Sequence, residues 1–185
     1  MHLDHDEEDY NLSLSKFESM LKTNKVLFFD SEEFEEIILH YLDMGKATLA
    51  KKALKLGLEQ HPKSSGLKLV QVEMLVYDDK LDQAEKLLNE LYAIEPTNEE
   101  IFIQKANILS RRNQHRQAII LLEQALSISE DQLDVLSLIG MEYLFLEDYE
   151  NAKTYFMRCV DEDTEDYSAL YNVVYCFEFL EQHTK

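Results

Sequence analysis

The residues of this chain that could do chemistry are six histidines, two cysteines and several groups of carboxylates. His2 and His5 lie among acidic residues at the N-terminus. An acidic run, Asp161, Glu162 and Asp163, lies near the C-terminus. Such groups bind Zn²⁺ or Ca²⁺ when a folded scaffold holds them in place. The N-terminal segment has little apolar surface to order it, and the C-terminal run lacks the glycine and closing glutamate of a calcium loop. We therefore expect solvated surface at both places, and no bound metal or cofactor.

No motif of catalytic residues accompanies these groups. The sequence has no glycine-rich phosphate loop, no His-Glu-x-x-His pair and no Ser or Cys in a nucleophile motif. His61 and His115 fall at predicted helix junctions without a repeated carboxylate partner, so we expect surface or capping roles for them. Cys159 and Cys176 lack the close spacing of a metal site, which predicts buried thiols in a reducing compartment. We predict that the protein is not an enzyme.

The elements that would position a binding site recur along the chain at a constant step. The step is marked by Ala50, Ala84, Ala118 and Ala152, each followed four positions later by a large apolar residue. A period of roughly 34 residues is typical of stacked pairs of antiparallel helices, in which each pair covers part of its neighbour's core. The 4 glycines and 2 prolines are too few for a strand-rich fold with many tight turns.

This step divides the chain into segments. Residues 1–10 are predicted to form an acidic flexible tail, and residues 11–30 an N-terminal cap with a short helix and the apolar run Val26 to Phe29. The run should cover the end of the array; whether it enters a groove is left open. The array follows as repeat 1 (31–64), repeat 2 (65–98), repeat 3 (99–132), repeat 4 (133–166) and a half repeat (167–185). Positions are numbered from 1 within each repeat, and its two helices are helix A and helix B.

Signals for helix ends fall at the same step. Gly45 and Asn113 stand where helix A should end in a left-handed residue, and Pro62 and Pro96 follow helix B. Small residues at positions 8 and 20 of repeats 3 and 4 predict close helix approach there. Three capping boxes are predicted, namely Asp30 with Glu33, Thr97 with Glu100, and Ser129 with Gln132.

The residue types at these positions resemble the tetratricopeptide repeat. They are large at position 4, small at 8, aromatic or Leu at 11, Ala at 20, aromatic or Leu at 24, small at 27 and Pro at 32. Repeat 4 is a good match through Leu136, Gly140, Tyr143, Tyr149, Ala152, Phe156 and Cys159. Repeat 2 departs from it at Lys68 and Gln71, where apolar residues are usual. The resemblance implies an all-α fold, a right-handed superhelix of stacked antiparallel helix hairpins with about four and a half repeats and an N-terminal capping helix.

One face of helix A is a candidate binding groove. Positions 6, 9 and 13 share this face because they are spaced i, i+3, i+7, and helix A lines the concave side in stacked hairpins of this kind. Aromatic residues are frequent in the row and charges are few, as in protein interfaces. The same side chains could instead contact the neighbouring helix A within the core, and both interpretations stay open. The candidate residues are Val70, Glu73, Tyr77, Gln104, Asn107, Arg111, Leu138, Met141, Phe145, Asn172, Tyr175 and Phe179.

The resemblance implies a non-catalytic scaffold that binds a peptide segment of a partner protein. Asn107 and Asn172 could hydrogen-bond the backbone of an apolar or weakly basic segment. Family members that grip a C-terminal carboxylate use Lys and Arg at helix A positions 2, 5 and 6. Those positions hold Glu32, Glu35, Glu36, Leu69, Val70, Ile103 and Gln104 here, so that clamp is absent. The alternative is a spacer or oligomerisation domain. The last helix is too apolar for an exposed end, so we expect a longer array or a homodimer there.

The formal charge of −19 is concentrated at the two ends of the chain. Residues 1–40 hold 11 acidic and 3 basic side chains, residues 131–185 hold 13 and 3, and the middle is nearly balanced. Such a surface repels phosphate, which argues against nucleic acid and anionic membranes, and it favours either plain solubility or a basic partner. No apolar run approaches the roughly 18 residues of a membrane span, and no signal peptide is recognisable. We expect a soluble cytoplasmic protein.

Overall fold

The fold is built from helices throughout the part of the chain that the structure describes. A computed structural model describes residues 3–23 and 25–183, and no strand occurs among them. Helices A begin at a constant step, at residues 31, 65, 99, 133 and 167, and helices B begin at 47, 81, 115 and 149. The helices are α1 (Leu3–Thr23), α2 (Ser31–Asp43), α3 (Ala47–Gln60), α4 (Ser65–Tyr77), α5 (Leu81–Ile94), α6 (Glu99–Arg111), α7 (His115–Ile128), α8 (Leu133–Phe145), α9 (Tyr149–Glu162) and α10 (Tyr167–His183).

The chain divides into two compact units, an N-terminal unit (Met1–Lys80) and a C-terminal unit (Leu81–Lys185). The core of the N-terminal unit forms around Phe17 of α1, which is fully buried. Its ring lies 5.9 Å from that of Phe29, 6.3 Å from that of Phe34 and 6.1 Å from that of Tyr41, measured between centroids. The contacts with Phe29 and Phe34 are edge-on, an arrangement that adds to the stabilisation from area burial. Helix α1 therefore packs onto repeat 1.

Helix α1 extends further toward the N-terminus than the sequence analysis expects. Residues 3–10, assigned there to a flexible tail, continue the helix that Phe17 anchors. Once a helix is nucleated, each added residue gains one hydrogen bond for one fixed residue, so the helix can extend without further packing. Residues 1 and 2 of the predicted tail lie outside the described residues.

The apolar run that follows α1, predicted to cover the end of the array, is only partly buried. Phe29 is buried, whereas Val26 is 83% and Phe28 71% exposed. The side-chain amide of Gln60 holds the segment, donating to Leu27 O at 2.9 Å and accepting from Phe29 N–H at 3.1 Å. The bound segment has no helical or strand structure of its own, and alternate side chains of an extended chain point to opposite sides. Its even-numbered residues therefore face solvent.

The core of the C-terminal unit depends on a glycine, Gly140, where α8 packs against α9. An added Cβ at Gly140 would lie 2.8 Å from Cε1 and Cζ of the Phe156 ring, which is fully buried. Glycine at position 8 thus admits a large ring at position 24. Cys159 and Cys176 are free and buried, as predicted, and burial raises the pKa of the Cys159 thiol to about 11.

In repeats 1 to 4, helix A ends in a left-handed residue at position 15. Gly45 and Asn113 adopt φ of 68° and 58°, as predicted, and Asp79 and Glu147 do the same at 59° and 57°. The next residue's N–H then bonds back to the carbonyl at position 11, as Lys46 does to Tyr41 at 2.7 Å. This closes the helix with the 6→1 hydrogen bond of a Schellman motif.

Only one of the three predicted capping boxes forms. Asp30 and Glu33 make the complete box at the start of α2. The prediction for Thr97 is wrong because α6 begins one residue later, and the side chain of Asn98 accepts from Glu100 N–H instead. The prediction for Ser129 and Gln132 is wrong because Asp131 accepts from Leu133 N–H at the start of α8. In both cases a carboxamide or carboxylate nearer the helix provides the acceptor.

Candidate partner-binding surface

Position 6 of helix A is buried in repeats 2 and 3, which removes two residues from the candidate groove. Val70 is 7% exposed and belongs to the core around Phe17. Gln104 is 5% exposed, and its side-chain nitrogen donates to Glu100 Oε1 at 2.8 Å. The alternative interpretation, in which these positions belong to the packed interior, therefore holds for both. The surface proposed below for partner contact therefore uses the remaining candidates.

Positions 9 and 13 remain accessible. Tyr77 is 79% exposed at the end of α4, and Arg111 is exposed at the end of α6. Met141 is 37% and Phe145 58% exposed on α8. The other candidates are half-buried, namely Glu73, Asn107, Leu138, Asn172, Tyr175 and Phe179.

The exposed ring of Phe145 is supported from behind by a histidine. His115, the first residue of α7, stacks on Phe145 with centroids 5.0 Å apart and planes at 20°. Its Nδ1 lies 2.8 Å from Oε2 of Glu142, and both of these side chains are nearly inaccessible to solvent. The expectation of an unpartnered surface histidine is therefore wrong at position 115. Because Phe145 stacks on a histidine that is itself hydrogen-bonded, its ring should lose little conformational freedom when it contacts a partner.

The same support recurs one repeat later. Tyr149, the first residue of α9, stacks on Phe179 of α10 with centroids 4.7 Å apart and planes at 15°. Tyr175 packs against the same Phe179 at 4.7 Å. Desolvation raises the pKa of the Tyr149 phenol, so this ring stays neutral in ordinary buffers. Position 17 of one repeat thus supports position 13 of the next.

A second contact between successive repeats joins helix B of one repeat to the end of helix A of the next. Lys51 Nζ lies 3.0 and 2.7 Å from the two carboxylate oxygens of Asp78 within the N-terminal unit. Arg112 and Glu85 make the equivalent contact at 3.0 Å within the C-terminal unit, with the charges exchanged. Hydrogen bonds from Lys51 and Lys80 lower the pKa of Asp78. The pair His115 and Glu142 has the same sequence separation but starts from a different repeat position.

His115, Glu142 and Tyr149 are parts of this surface that the repeat pattern alone does not predict. A signal for them was present, because helix B of one repeat packs on helix A of the next and brings position 17 beside position 13. Two stacked ring pairs connect successive repeats in this way, and two ion pairs connect position 21 of one repeat to position 14 of the next. A comparison of residues one full repeat apart identifies equivalent positions, whereas these contacting residues are separated by less than one repeat.

Within the described residues, no group of three or more His, Cys, Asp or Glu side chains is placed to hold a metal ion. The same part of the chain contains no helix that is both long and apolar enough to cross a membrane. What the structure does present is a series of antiparallel helices at a constant step, with two stacked ring pairs in the C-terminal unit. This arrangement defines a helical-repeat protein of the α-solenoid class.

Comparisons with known proteins agree with this class. Tetratricopeptide repeat models match residues 75–141 and residues 133–166. A thermophilic tetratricopeptide repeat protein of Thermus thermophilus is 18% identical, with a TM-score of 0.75 over 94% of this chain and 93% of that one. PilF of Pseudomonas aeruginosa is 17% identical, with a TM-score of 0.70 over 83% and 70%. No curated protein sequence matches the chain.

A further similar structure contains a bound peptide. It is the first tetratricopeptide repeat domain of Spaghetti (RPAP3), bound to the HSP90 peptide SRMEEVD. It is 16% identical, with a TM-score of 0.57 over 62% of this chain and 91% of that one. The family models and the repeated fold together show that the chain belongs to the tetratricopeptide repeat family.

Proposed function

We propose that the protein is a non-catalytic scaffold that holds an apolar or weakly basic segment of a partner protein against its helix A faces. The observation that supports this most directly is Phe145, a large ring that is 58% exposed and yet stacked on a nearly buried His115. An exposed aromatic side chain in a fixed position is typical of an interface anchor. Its apolar surface is available to a partner, and little side-chain conformational entropy is lost when the partner binds. Met141 lies one turn before it on the same face.

Other exposed or half-buried residues extend the proposed contact within each unit. In the C-terminal unit Tyr175 adds a ring, and Asn107 and Asn172 supply amide groups that can pair with the backbone of an extended segment. In the N-terminal unit Tyr77 is the exposed aromatic side chain. A weakly basic segment suits the net charge of −19, because long-range attraction raises the rate of encounter.

The proposed segment differs from the peptide bound by the Spaghetti domain. That peptide, SRMEEVD, ends in acidic residues. Here none of the helix A positions that would need Lys and Arg is basic in repeats 1 to 3: all three are carboxylates in repeat 1, and repeat 3 has Glu100 at position 2. An acidic tail would meet like charge from Glu32, Glu35 and Glu36, so we expect no binding of such a peptide.

The test replaces two exposed anchors with charge and compares them with two exposed residues of helix B. In Met141→Asp/Phe145→Asp the proposed face is disrupted. In the control Ile120→Asp/Met157→Asp, two residues that are 55% and 44% exposed on α7 and α9 are changed in the same way. After circular dichroism shows both variants folded, partners recovered from native lysate by the wild-type chain are quantified for each. Loss with the first variant alone supports the proposal, whereas equal recovery would refute it.

A second candidate function is self-association through α10, favoured by a separate observation. Positions 8 and 11 of helix A are buried or half-buried in repeats 1 to 4, but Val174 and Phe177 at these positions are 55% and 45% exposed. Tyr167 and Tyr171, at 76% and 70%, continue the same apolar row. A second copy that packs α10 against α10 would cover it symmetrically. Sedimentation should then give a dimer that Val174→Asp/Phe177→Asp dissociates; a monomeric wild-type chain would exclude this candidate. We also propose a cytoplasmic location, supported by two buried thiols that are not paired.

A further inference from the structure

The extended segment between α1 and α2, residues 25–30, is hydrogen-bonded along one of its two edges. We call it the linking segment. The side-chain amide of Gln60 donates to Leu27 O and accepts from Phe29 N–H, as the main chain of a neighbouring strand would. Nε2 of His61 lies 2.6 Å from Phe29 O on the same edge. Two side chains of the N-terminal unit thus hold the segment extended and occupy this edge.

The opposite edge carries the main-chain N–H and C=O groups of Val26 and Phe28. Among the described residues, no hydrogen bond reaches any of these groups. The N–H and C=O groups of alternate residues in an extended chain point to the same side, so they form one row. Both side chains are largely exposed, which leaves the row open to a neighbour. Such an unpaired edge is a template for pairing with another extended chain.

A second copy of the linking segment matches this edge group for group. In an antiparallel pair centred on Leu27 of both copies, Val26 of each copy lies opposite Phe28 of the other. Residues opposite each other at such positions exchange two N–H to C=O bonds. Every free main-chain group at these two residues, in both copies, is then paired. Leu27 bonds toward Gln60 in each copy and is not needed for the pairing.

The side chains also favour a second copy as the occupant. A β-branched residue opposite an aromatic one is a favourable cross-strand pair, and Val26 would meet Phe28 in this way twice. The Phe28 ring already packs edge-on against His61, with centroids 5.2 Å apart. Antiparallel pairing brings Lys25 of one copy to the end of the ladder where Asp30 of the other lies, so opposite charges meet at both ends.

Preorganisation distinguishes a second copy from a flexible foreign segment. Gln60 and His61 hold the linking segment extended before any contact is made. A second copy therefore loses little main-chain conformational entropy on pairing, whereas a flexible peptide must first be ordered.

We propose that the free edge of the linking segment is a self-association site, at which two copies of the chain form a two-stranded antiparallel ladder centred on Leu27. The proposal is independent of the scaffold function, and it concerns a different unit from the α10 contact described above. Because the ladder is short, we expect a dissociation constant on the order of 1 mM. A contact of this strength acts where other interactions already hold several chains together.

Disulfide formation in the full chain tests the register. In the proposed ladder the two Leu27 residues form a non-hydrogen-bonded pair with Cα atoms about 4.5 Å apart, a distance that a disulfide can span. Cys159 and Cys176 are buried and should not compete. Under mild oxidation Leu27→Cys should form a linked dimer at least ~10-fold faster than the control Lys25→Cys, which lies opposite Phe29 in this register. Equal rates would overturn the proposed pairing.

A second measurement uses the wild-type chain and needs no substitution. ¹H–¹⁵N spectra are recorded over a dilution series that spans the expected dissociation constant. The amide signals of Val26 and Phe28 should shift with concentration along one binding curve, because their N–H groups gain acceptors. The amide of Phe29, already bonded to Gln60, should shift much less. Shifts that do not depend on concentration, or that appear only when another protein is added, would overturn a second copy as the occupant.

Variants then locate the contact. Val26→Pro removes one donor from the free edge, and the φ of proline suits an extended segment. Val26→Thr keeps both the N–H and the β-branched shape, so it is the matched control. The first should weaken the association followed at Phe28 at least ~5-fold, and the second should stay within ~2-fold of the wild type. Equal association of the two folded variants would refute the assignment.

The same series separates this contact from association through α10. Val174→Asp/Phe177→Asp changes only the C-terminal unit, so it should leave the concentration dependence at Val26 and Phe28 unchanged. Loss of that dependence in this variant would assign the association to α10 and overturn the proposal.

Discussion

Replacing Gly140 with alanine tests the packing on which the C-terminal unit depends. The new Cβ would lie 2.8 Å from two ring carbons of Phe156 and 3.0 Å from a third, Cε2. Ordinary carbon contacts are about 3.5–4.0 Å, so either the ring or α8 must move by more than ~0.5 Å. The ring is fully buried in a cluster with Ala152 and Cys176, which leaves it little room to move. Strain should therefore remain in the folded state.

The expected magnitude is the difference between two opposing effects. Alanine in a helix interior is favoured over glycine by about 1 kcal/mol. Overpacking of a well-filled core costs about 1–3 kcal/mol, and the short contacts with a buried ring place this site toward the upper end. We expect Gly140→Ala to lower the free energy of unfolding by about 1–2 kcal/mol.

Urea denaturation followed by circular dichroism provides the measurement, and a double-mutant cycle gives the cause. Phe156→Leu removes the ring carbons that the new Cβ would meet, so Gly140→Ala should be neutral or stabilising in that background, with a coupling energy of about 2 kcal/mol. Gly66→Ala is the control, because the three atoms nearest to its Cβ belong to the carboxylate end of the flexible Glu35 side chain, which can move aside. Stabilisation by Gly140→Ala in the wild-type background, or no coupling, would refute the reasoning.

Three further predictions concern a helix end, an ion pair and a thiol. Glu147→Gly should raise the free energy of unfolding by about 0.5–1 kcal/mol in urea, because a left-handed conformation strains any residue with a Cβ. Asp78→Asn should destabilise the chain at neutral pH, and the difference should vanish as the pH falls through the lowered pKa of Asp78, when the wild-type carboxylate also loses its charge. Alkylation of Cys159 at pH 8 should be on the order of 100-fold slower in the native chain than in urea, because its thiol has a pKa of about 11 and is buried.

Each of these has a contrary result. A destabilising Glu147→Gly would mean that its side chain makes a contact worth more than the strain. The ion pair with Lys51 stabilises the fold only at pH values at which the Asp78 carboxylate is charged. A stability difference for Asp78→Asn that stays constant from pH 7 to acid would therefore mean that this ion pair contributes nothing. Rapid native alkylation of Cys159 at pH 8 would mean that α9 opens locally.

The sequence predicts the repeating framework closely because the framework depends on local and periodic signals. Alanine at position 20 and glycine or asparagine at position 15 report backbone geometry that each repeat needs by itself. The helices of repeats 1 to 4 accordingly begin at a constant step. The capping prediction at Thr97 failed because Asn98 is an equally good acceptor one residue nearer the helix, and local pattern cannot choose between them.

The candidate surface was harder to predict because its features depend on contacts between repeats. Gln104 is polar by type, and only packing buries it. His115 looked solitary in the sequence because its carboxylate partner, Glu142, lies far along the chain on another helix. The exposure of Val26 and Phe28 follows from the grip of Gln60 on an extended segment, which no hydrophobicity pattern reveals. Long-range placement, more than residue type, decides these roles.

The two ion pairs that join helix B of one repeat to helix A of the next have opposite polarity. Lys51 meets Asp78, whereas Glu85 meets Arg112. If a folding chain skipped repeat 2 and stacked repeat 1 directly on repeat 3, Lys51 would face Arg112, and two cations would be brought together. Arrays built from look-alike parts are prone to assembling in the wrong order. The exchanged charges thus favour pairing of each of these repeats with the next one in the chain and disfavour stacking of repeat 1 on repeat 3.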